Sequence, residues 1–111
     1  MRTKSEYPFE VDEAVTRLGE RLRLARMRRN ITQEDLAIRA KITRKTLSEI
    51  EKGKAGVTFG NVLTVLWTLG LLDSVKALAD PDADQHGRIL DSNRHRHRVR
   101  YSNSSDLDND F

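Results

Sequence analysis

From Phe9 onward apolar residues return at three- and four-residue steps: Val11, Val15, Leu18, Leu22 and Leu24–Ala25, with Met27 extending the stripe. That spacing lines one face of a long α-helix. Arg28, Arg29 and Asn30 interrupt it, and Asn30 tolerates the left-handed backbone that ends helices. Thr32 starts the next helix as a good N-cap. Asp35 completes a shortened capping box, and Glu34 adds to the negative charge that a helix N-terminus favours. This second helix carries Leu36, Ala37 and Ala40 through about two turns. After Lys41-Ile42 comes another cap, Thr43, opening a helix over residues 44–52 that Gly53 closes. Leu47 and Ile50 form its whole apolar stripe, so its remaining faces are free. Thr58 opens a fourth helix in which Phe59, Val62, Leu63, Val65, Leu66, Trp67 and Leu69 make most sides apolar, until Gly70 stops it. A helix of that character belongs in a core or at an interface. Residues 71–79 predict a short fifth helix ended by Asp80-Pro81.

The two ends differ from this middle. Residues 1–8 show no periodicity and read as a flexible arm. Residues 9–80 form the predicted domain, and residues 81–111 are a polar extension, partly disordered. Within the extension, residues 82–93 suit one weak helical turn around Ile89 and Leu90. Residues 97–101 alternate in the manner of a short strand able to pair with a second subunit. The last ten residues are rich in Ser, Asn and Asp and are expected to be disordered. The class is therefore all-α, with no strand pattern before residue 97.

Charge sharpens the picture. The 111-residue chain has a net charge of only +3, but between residues 17 and 54 twelve Lys and Arg stand against five acids, a local +7. The remainder is then about −4, and a basic half on a mildly acidic chain is the footprint of phosphate binding. No apolar run approaches the length of a membrane helix. The N-terminal segment lacks the apolar core of a signal peptide, so a cytoplasmic location is expected. The chain has no cysteine, which excludes disulfides and thiolate chemistry.

Two short helices joined by a tight turn make a helix-turn-helix, whose second helix is shaped for the major groove of double-stranded DNA. The first needs a small residue at the crossing, and Ala37 supplies it. The second needs anchors on one side only, Leu47 and Ile50. Its first turns must project polar groups, and Arg44, Lys45, Thr46 and Ser48 do so. The capped N-termini at Thr32-Gln33 and Thr43-Arg44 aim backbone N–H groups at phosphates.

The stretch LGERLRLARMRRNITQEDLAIRAKITRKTLSEIEKGKAG resembles the Cro/CI-type helix-turn-helix domain of the XRE-like family, which includes the lambdoid phage repressors. The resemblance covers about residues 15–72 and is most specific over TQEDLA and ITRKTLSEIEKGK. It implies a five-helix orthogonal bundle of the lambda-repressor kind. It also implies that Gln33 braces a phosphate and the recognition helix, and that Arg44 and Lys45 read base edges with Thr46 and Glu49 as secondary readers. Arg26 and Glu51 match a partly buried ion pair that is structural. Lys54 is expected to contact phosphate. Two departures stand out: Asn30 and Lys41 occupy positions where the family usually has glycine. Arg44 and Lys45 replace the glutamines common among phage readers, which suits guanine acceptors.

A single recognition helix reads few base pairs, so a homodimer on an inverted-repeat operator is expected. Trp67, Leu71, Leu72, Val75 and Val99 are its candidate interface. Trp67 is read either as core or as that interface. A second stretch, LGLLDSVKALADPDADQHGRILDSNRHRHRVR, resembles the C-terminal part of HipB-like antitoxins. That resemblance implies autorepression of an operon and binding to a HipA-like serine/threonine kinase toxin. The alternative is a stand-alone repressor. The arginine run of residues 94–100 suits DNA phosphate, an acidic partner surface or plain solvation. His86, His95 and His97 lie among cations with no thiol or carboxylate arranged beside them, so neither a metal nor any other cofactor is expected. No catalytic constellation or phosphate-binding glycine loop is present, so the chain does not read as an enzyme.

Overall fold

A computed structural model describes residues 6–101, and these form α-helices and short 3-10 helices without a strand. Helix α1 spans Phe9–Arg28, α2 Gln33–Ala40, α3 Arg44–Glu51, α4 Phe59–Thr68 and α5 Gln85–Tyr101. The 3-10 helices are Leu72–Ala77 and Pro81–Ala83. The chain divides into two compact units, Met1–Val75 and Lys76–Phe111. The first holds α1 to α4, an all-α helix-turn-helix bundle. The second holds α5 and the 3-10 turn before it. Most of the expected N-terminal arm (residues 1–5) and the whole expected polar tail (residues 102–111) lie outside the described residues.

Helix starts follow from the threonines. Thr32 Oγ1 accepts a hydrogen bond from the Asp35 N–H at 3.0 Å, and Thr43 Oγ1 accepts one from the Thr46 N–H at 3.0 Å. Helix ends share one device. Asn30, Lys41, Gly53 and Gly70 all have positive φ, at 57°, 59°, 78° and 80°. At each, that residue's N–H reaches back three residues and the following N–H reaches back five, as in Met27 O to Asn30 N and Arg26 O to Ile31 N. This is the Schellman motif, which satisfies carbonyls that the helix end would orphan. Ile31, Ile42 and Leu71, each following a left-handed residue, then turn inward against the core. Lysine at the turn between α2 and α3 therefore keeps the geometry usually given to glycine.

The core is built from Leu22 and Ala25 of α1, Leu36, Ala37 and Ala40 of α2, Leu47 and Ile50 of α3, and Val62, Val65, Leu66 and Leu69 around α4. α1 crosses α3 at Gly19, where a Cβ would lie 2.5 Å from the Ile50 carbonyl oxygen and 2.8 Å from that of Glu51. The close approach leaves no space for a side chain.

Several expectations are corrected. Leu24 and Met27, assigned to the stripe of α1, point away from the core and are about half exposed. The fifth helix of the bundle is a 3-10 turn over Leu72–Ala77, where the Ser74 hydroxyl bonds the Leu71 carbonyl at 2.7 Å. Such local bonds compete with the α-helical ladder. The short strand at residues 97–101 is helix, and so is the segment expected to hold a single weak turn. The Asp84 carboxylate accepts from the Gly87 N–H at 2.9 Å and its carbonyl accepts from the Arg88 N–H at 3.0 Å, starting α5. Arginine and leucine then propagate a helix well, whereas an isolated strand leaves its backbone groups unpaired.

Candidate nucleic-acid interface

Three of the eight residues of α3 face inward: Leu47, Ile50 and Glu51. At 100° per residue this leaves Lys45, Ser48, Glu49 and Lys52 along the opposite side, while Arg44, in the first turn, lies on the side of Glu51. Arg44, Lys45 and Lys52 are exposed, while Thr46, Ser48 and Glu49 are half-buried. The Thr46 hydroxyl accepts from Thr43 Oγ1 at 2.9 Å. Thr43 is thus occupied as the cap of α3. Lys54 is exposed just past the helix, with its N–H on the Glu49 carbonyl. Lys52 was missed in the sequence. The available signal was its spacing, four residues beyond Ser48 and eight beyond Arg44.

The first turn of α3 contains no acid, whereas α2 begins with Glu34 and Asp35. Basic residues at a helix N-terminus oppose the macrodipole and cost the helix a few tenths of a kcal/mol to about 1 kcal/mol. An anion placed there would relieve both the dipole and the two cations. The arrangement suits a polyanion approaching the start of α3.

A buried polar network fixes the angle of this helix. Arg26 Nε donates to Glu51 Oε2 at 2.7 Å, and its Nη2 donates to Oε1 at 3.1 Å, a bidentate pair. Arg26 Nη1 donates to the Ile31 carbonyl at 2.8 Å, and Gln33 Nε2 donates to Glu51 Oε1 at 3.0 Å. The Glu51 side chain is 2% exposed and that of Arg26 11%. One carboxylate at the end of α3 therefore ties α1, the following turn and the first residue of α2 together. Gln33 is half-buried at that junction.

The candidate interface residues separate. Trp67 is 65% exposed, so it is not core. Phe59, eight residues earlier, is 62% exposed on the same side of α4, with half-buried Leu63 between them. Leu71 and Val75 are half-buried against the core of their own unit, and Leu72 is exposed. Val99 lies in α5, within the other unit. Among the described residues no group of three or more His, Asp or Glu is placed to hold a metal ion. No described helix is long and apolar enough to cross a membrane.

A chain with two capped helices at a tight turn and a basic, outward-facing second helix has the form of a DNA-binding module. Residues 19–78 match the helix-turn-helix domain family, and the chain belongs to that family. The match takes in the second half of α1, all of α2 to α4 and the first 3-10 helix. A comparison with curated proteins finds no match.

Proposed function

We propose that this chain is a sequence-specific transcriptional repressor that works in the cytoplasm as a homodimer on an inverted-repeat operator. The observation that carries the reading is the outer face of α3, where Arg44 and Lys45 stand exposed above the buried anchors Leu47 and Ile50. In the major groove these two side chains match guanine O6 and N7. Ser48 and Glu49 flank them, Thr46 supports the first turn, and Gln33, Lys54 and the N-terminus capped by Thr43 hold phosphates. A homodimer doubles the contact and sets two recognition helices about 34 Å apart, one turn of duplex. The exposed apolar side chains of α4, Phe59 and Trp67, together with Leu72, supply a surface for pairing.

The resemblance of residues 69–100 to HipB-like antitoxins supports a second partner, a HipA-like kinase toxin whose operon the protein represses. Co-purification with a kinase encoded by the adjacent gene tests this directly. Failure to co-purify leaves the stand-alone repressor.

Arg44→Ala is expected to cost about 1–3 kcal/mol on the preferred site and to relax its sequence preference. Gln33→Ala or Lys54→Ala should weaken binding to all duplexes alike, as phosphate contacts do. Equal losses for Arg44→Ala on preferred and random DNA would sink the assignment. A monomer protecting one half-site in a footprint would sink the dimer.

A further inference from the structure

Helix α5 carries five arginines, one aspartate and all three histidines of the chain, a formal charge of +4 with the histidines neutral. Its residues from Gln85 to Arg96, Gly87 excepted, are exposed, and so is Arg98. Even Ile89 and Leu90 are 59% and 52% exposed. Placed at about 100° per residue, Arg94 and Arg98 share one side of the axis with Arg88 beside them, Arg96 lies on the far side, and no face is set aside for a core.

A helix polar on every side needs a source of stability. Pairs of opposite charge one turn apart are the usual source, worth a few tenths of a kcal/mol each. Here the ion pair within α5 among the described residues is Asp91–Arg94 at 2.8 Å, with both side chains mostly exposed. Arg94 and Arg98 stand four apart as like charges, which repel by a similar amount. Arg88 reaches the Asp82 carbonyl and Arg96 the Asn93 side chain, bonds that neutralise no charge. The helix is therefore left with a net positive charge, with Arg88, Arg94 and Arg98 towards one side and Arg96 on the other.

The placement of Arg96 bears on the occupant. A flat acidic protein surface engages one side of a helix and would leave this arginine unused while meeting the other three. A groove of duplex DNA has two phosphate walls, admits an α-helix, and presents one charge per about 1.7 Å of axis. Arg94, Arg96 and Arg98 advance by about 3 Å per step along α5 at 1.5 Å per residue, roughly one arginine to two duplex charges.

We propose that α5 is a second DNA-contacting element, indifferent to sequence, that grips backbone phosphates and raises affinity without adding base readout. It rests on the reading of the chain as a DNA binder, and its test separates the two. The full chain and its R94Q/R96Q/R98Q variant are titrated by fluorescence anisotropy against a labelled 24-bp duplex of arbitrary sequence, from 50 to 300 mM KCl. Glutamine keeps helix propensity and length while removing charge. If each arginine neutralises one phosphate, the slope of log K against log salt becomes shallower by about 2.7. At 100 mM KCl the affinity falls at least about tenfold, and the thermal melt of the bundle is unchanged. An R44A/K45A variant serves as the contrast: it loses preference between duplexes but keeps the contribution of α5 to the salt slope. An unchanged slope in the triple variant overturns the proposal while leaving the helix-turn-helix reading intact. Loss of binding to a polyglutamate peptide, with DNA binding unaffected, overturns it in favour of a protein partner. A wild-type chain that binds no duplex overturns both readings.

Discussion

Replacing Glu51 by glutamine keeps the shape of the side chain and removes its charge. In the native network the carboxylate accepts three hydrogen bonds, at 2.7 and 3.1 Å from Arg26 and at 3.0 Å from Gln33. The amide of E51Q has one oxygen for these three donors, and its own NH2 group must face either the guanidinium or the Gln33 amide. Arg26 would keep its bond to the Ile31 carbonyl, but its charge would stand in a site where only 11% of the side chain meets water. Breaking a buried ion pair from one side costs roughly 3–5 kcal/mol. For a domain of this size, at about 5 °C per kcal/mol, the melting temperature should fall by roughly 15–25 °C. Melts followed by far-ultraviolet circular dichroism read this directly. The R26M/E51L double variant completes the cycle: it removes both charges and should lie closer to wild type than either single change. An E51Q protein melting within about 2 °C of wild type would refute the reasoning, since the carboxylate could not then be the partner of a desolvated guanidinium.

Gly19→Ala should destabilise by about 1–2 kcal/mol in urea unfolding, because overpacking against the Ile50 and Glu51 carbonyls outweighs the gain of nearly 1 kcal/mol in helix propensity. A more stable variant would mean that α1 and α3 are further apart than described. Lys41→Gly should raise stability by up to about 1 kcal/mol, since it relieves left-handed strain at φ 59° that exceeds the added freedom of the unfolded chain. A clear loss of stability in the same assay would show that the lysine stem packs usefully in the turn.

The helices that were legible in the sequence are those governed by signals acting within one turn. Thr32 with Asp35 and Thr43 with Thr46 decide the starts of α2 and α3, and the 3.6-residue repeat decides which of their residues go inward. Two features resisted. In α4 the apolar residues cover most of the surface, so composition does not say which of them the core takes. Packing selects Val62, Val65, Leu66 and Leu69, and Phe59 and Trp67 are left outside because the bundle fills only one side of the helix. In α5 there is no hydrophobic repeat at all. A two-residue alternation across five positions suggested a strand, whereas the deciding groups were the Asp84 cap and the absence of any described strand with which to pair.

At the site, the face of α3 could be read from spacing because a helix with two anchors has only one direction left. The network behind it could not, since Arg26 and Glu51 are 25 residues apart and periodicity carries no information over that distance. Family resemblance pointed to the pair and to Gln33 as a brace of the recognition helix, and the geometry gives that brace as a bond from Gln33 Nε2 to Glu51 Oε1. That bond bears on how the DNA-binding reading would operate. Gln33 commits one amide hydrogen to Glu51, while its second hydrogen and its carbonyl oxygen sit at the first turn of α2, where a phosphate would arrive. A side chain that helps to hold the recognition helix is thus also placed to meet the backbone of the duplex. The bidentate Arg26–Glu51 pair still fixes the angle of α3 without it, so that Gln33→Ala weakens binding through the lost phosphate contact and does so for all duplexes alike.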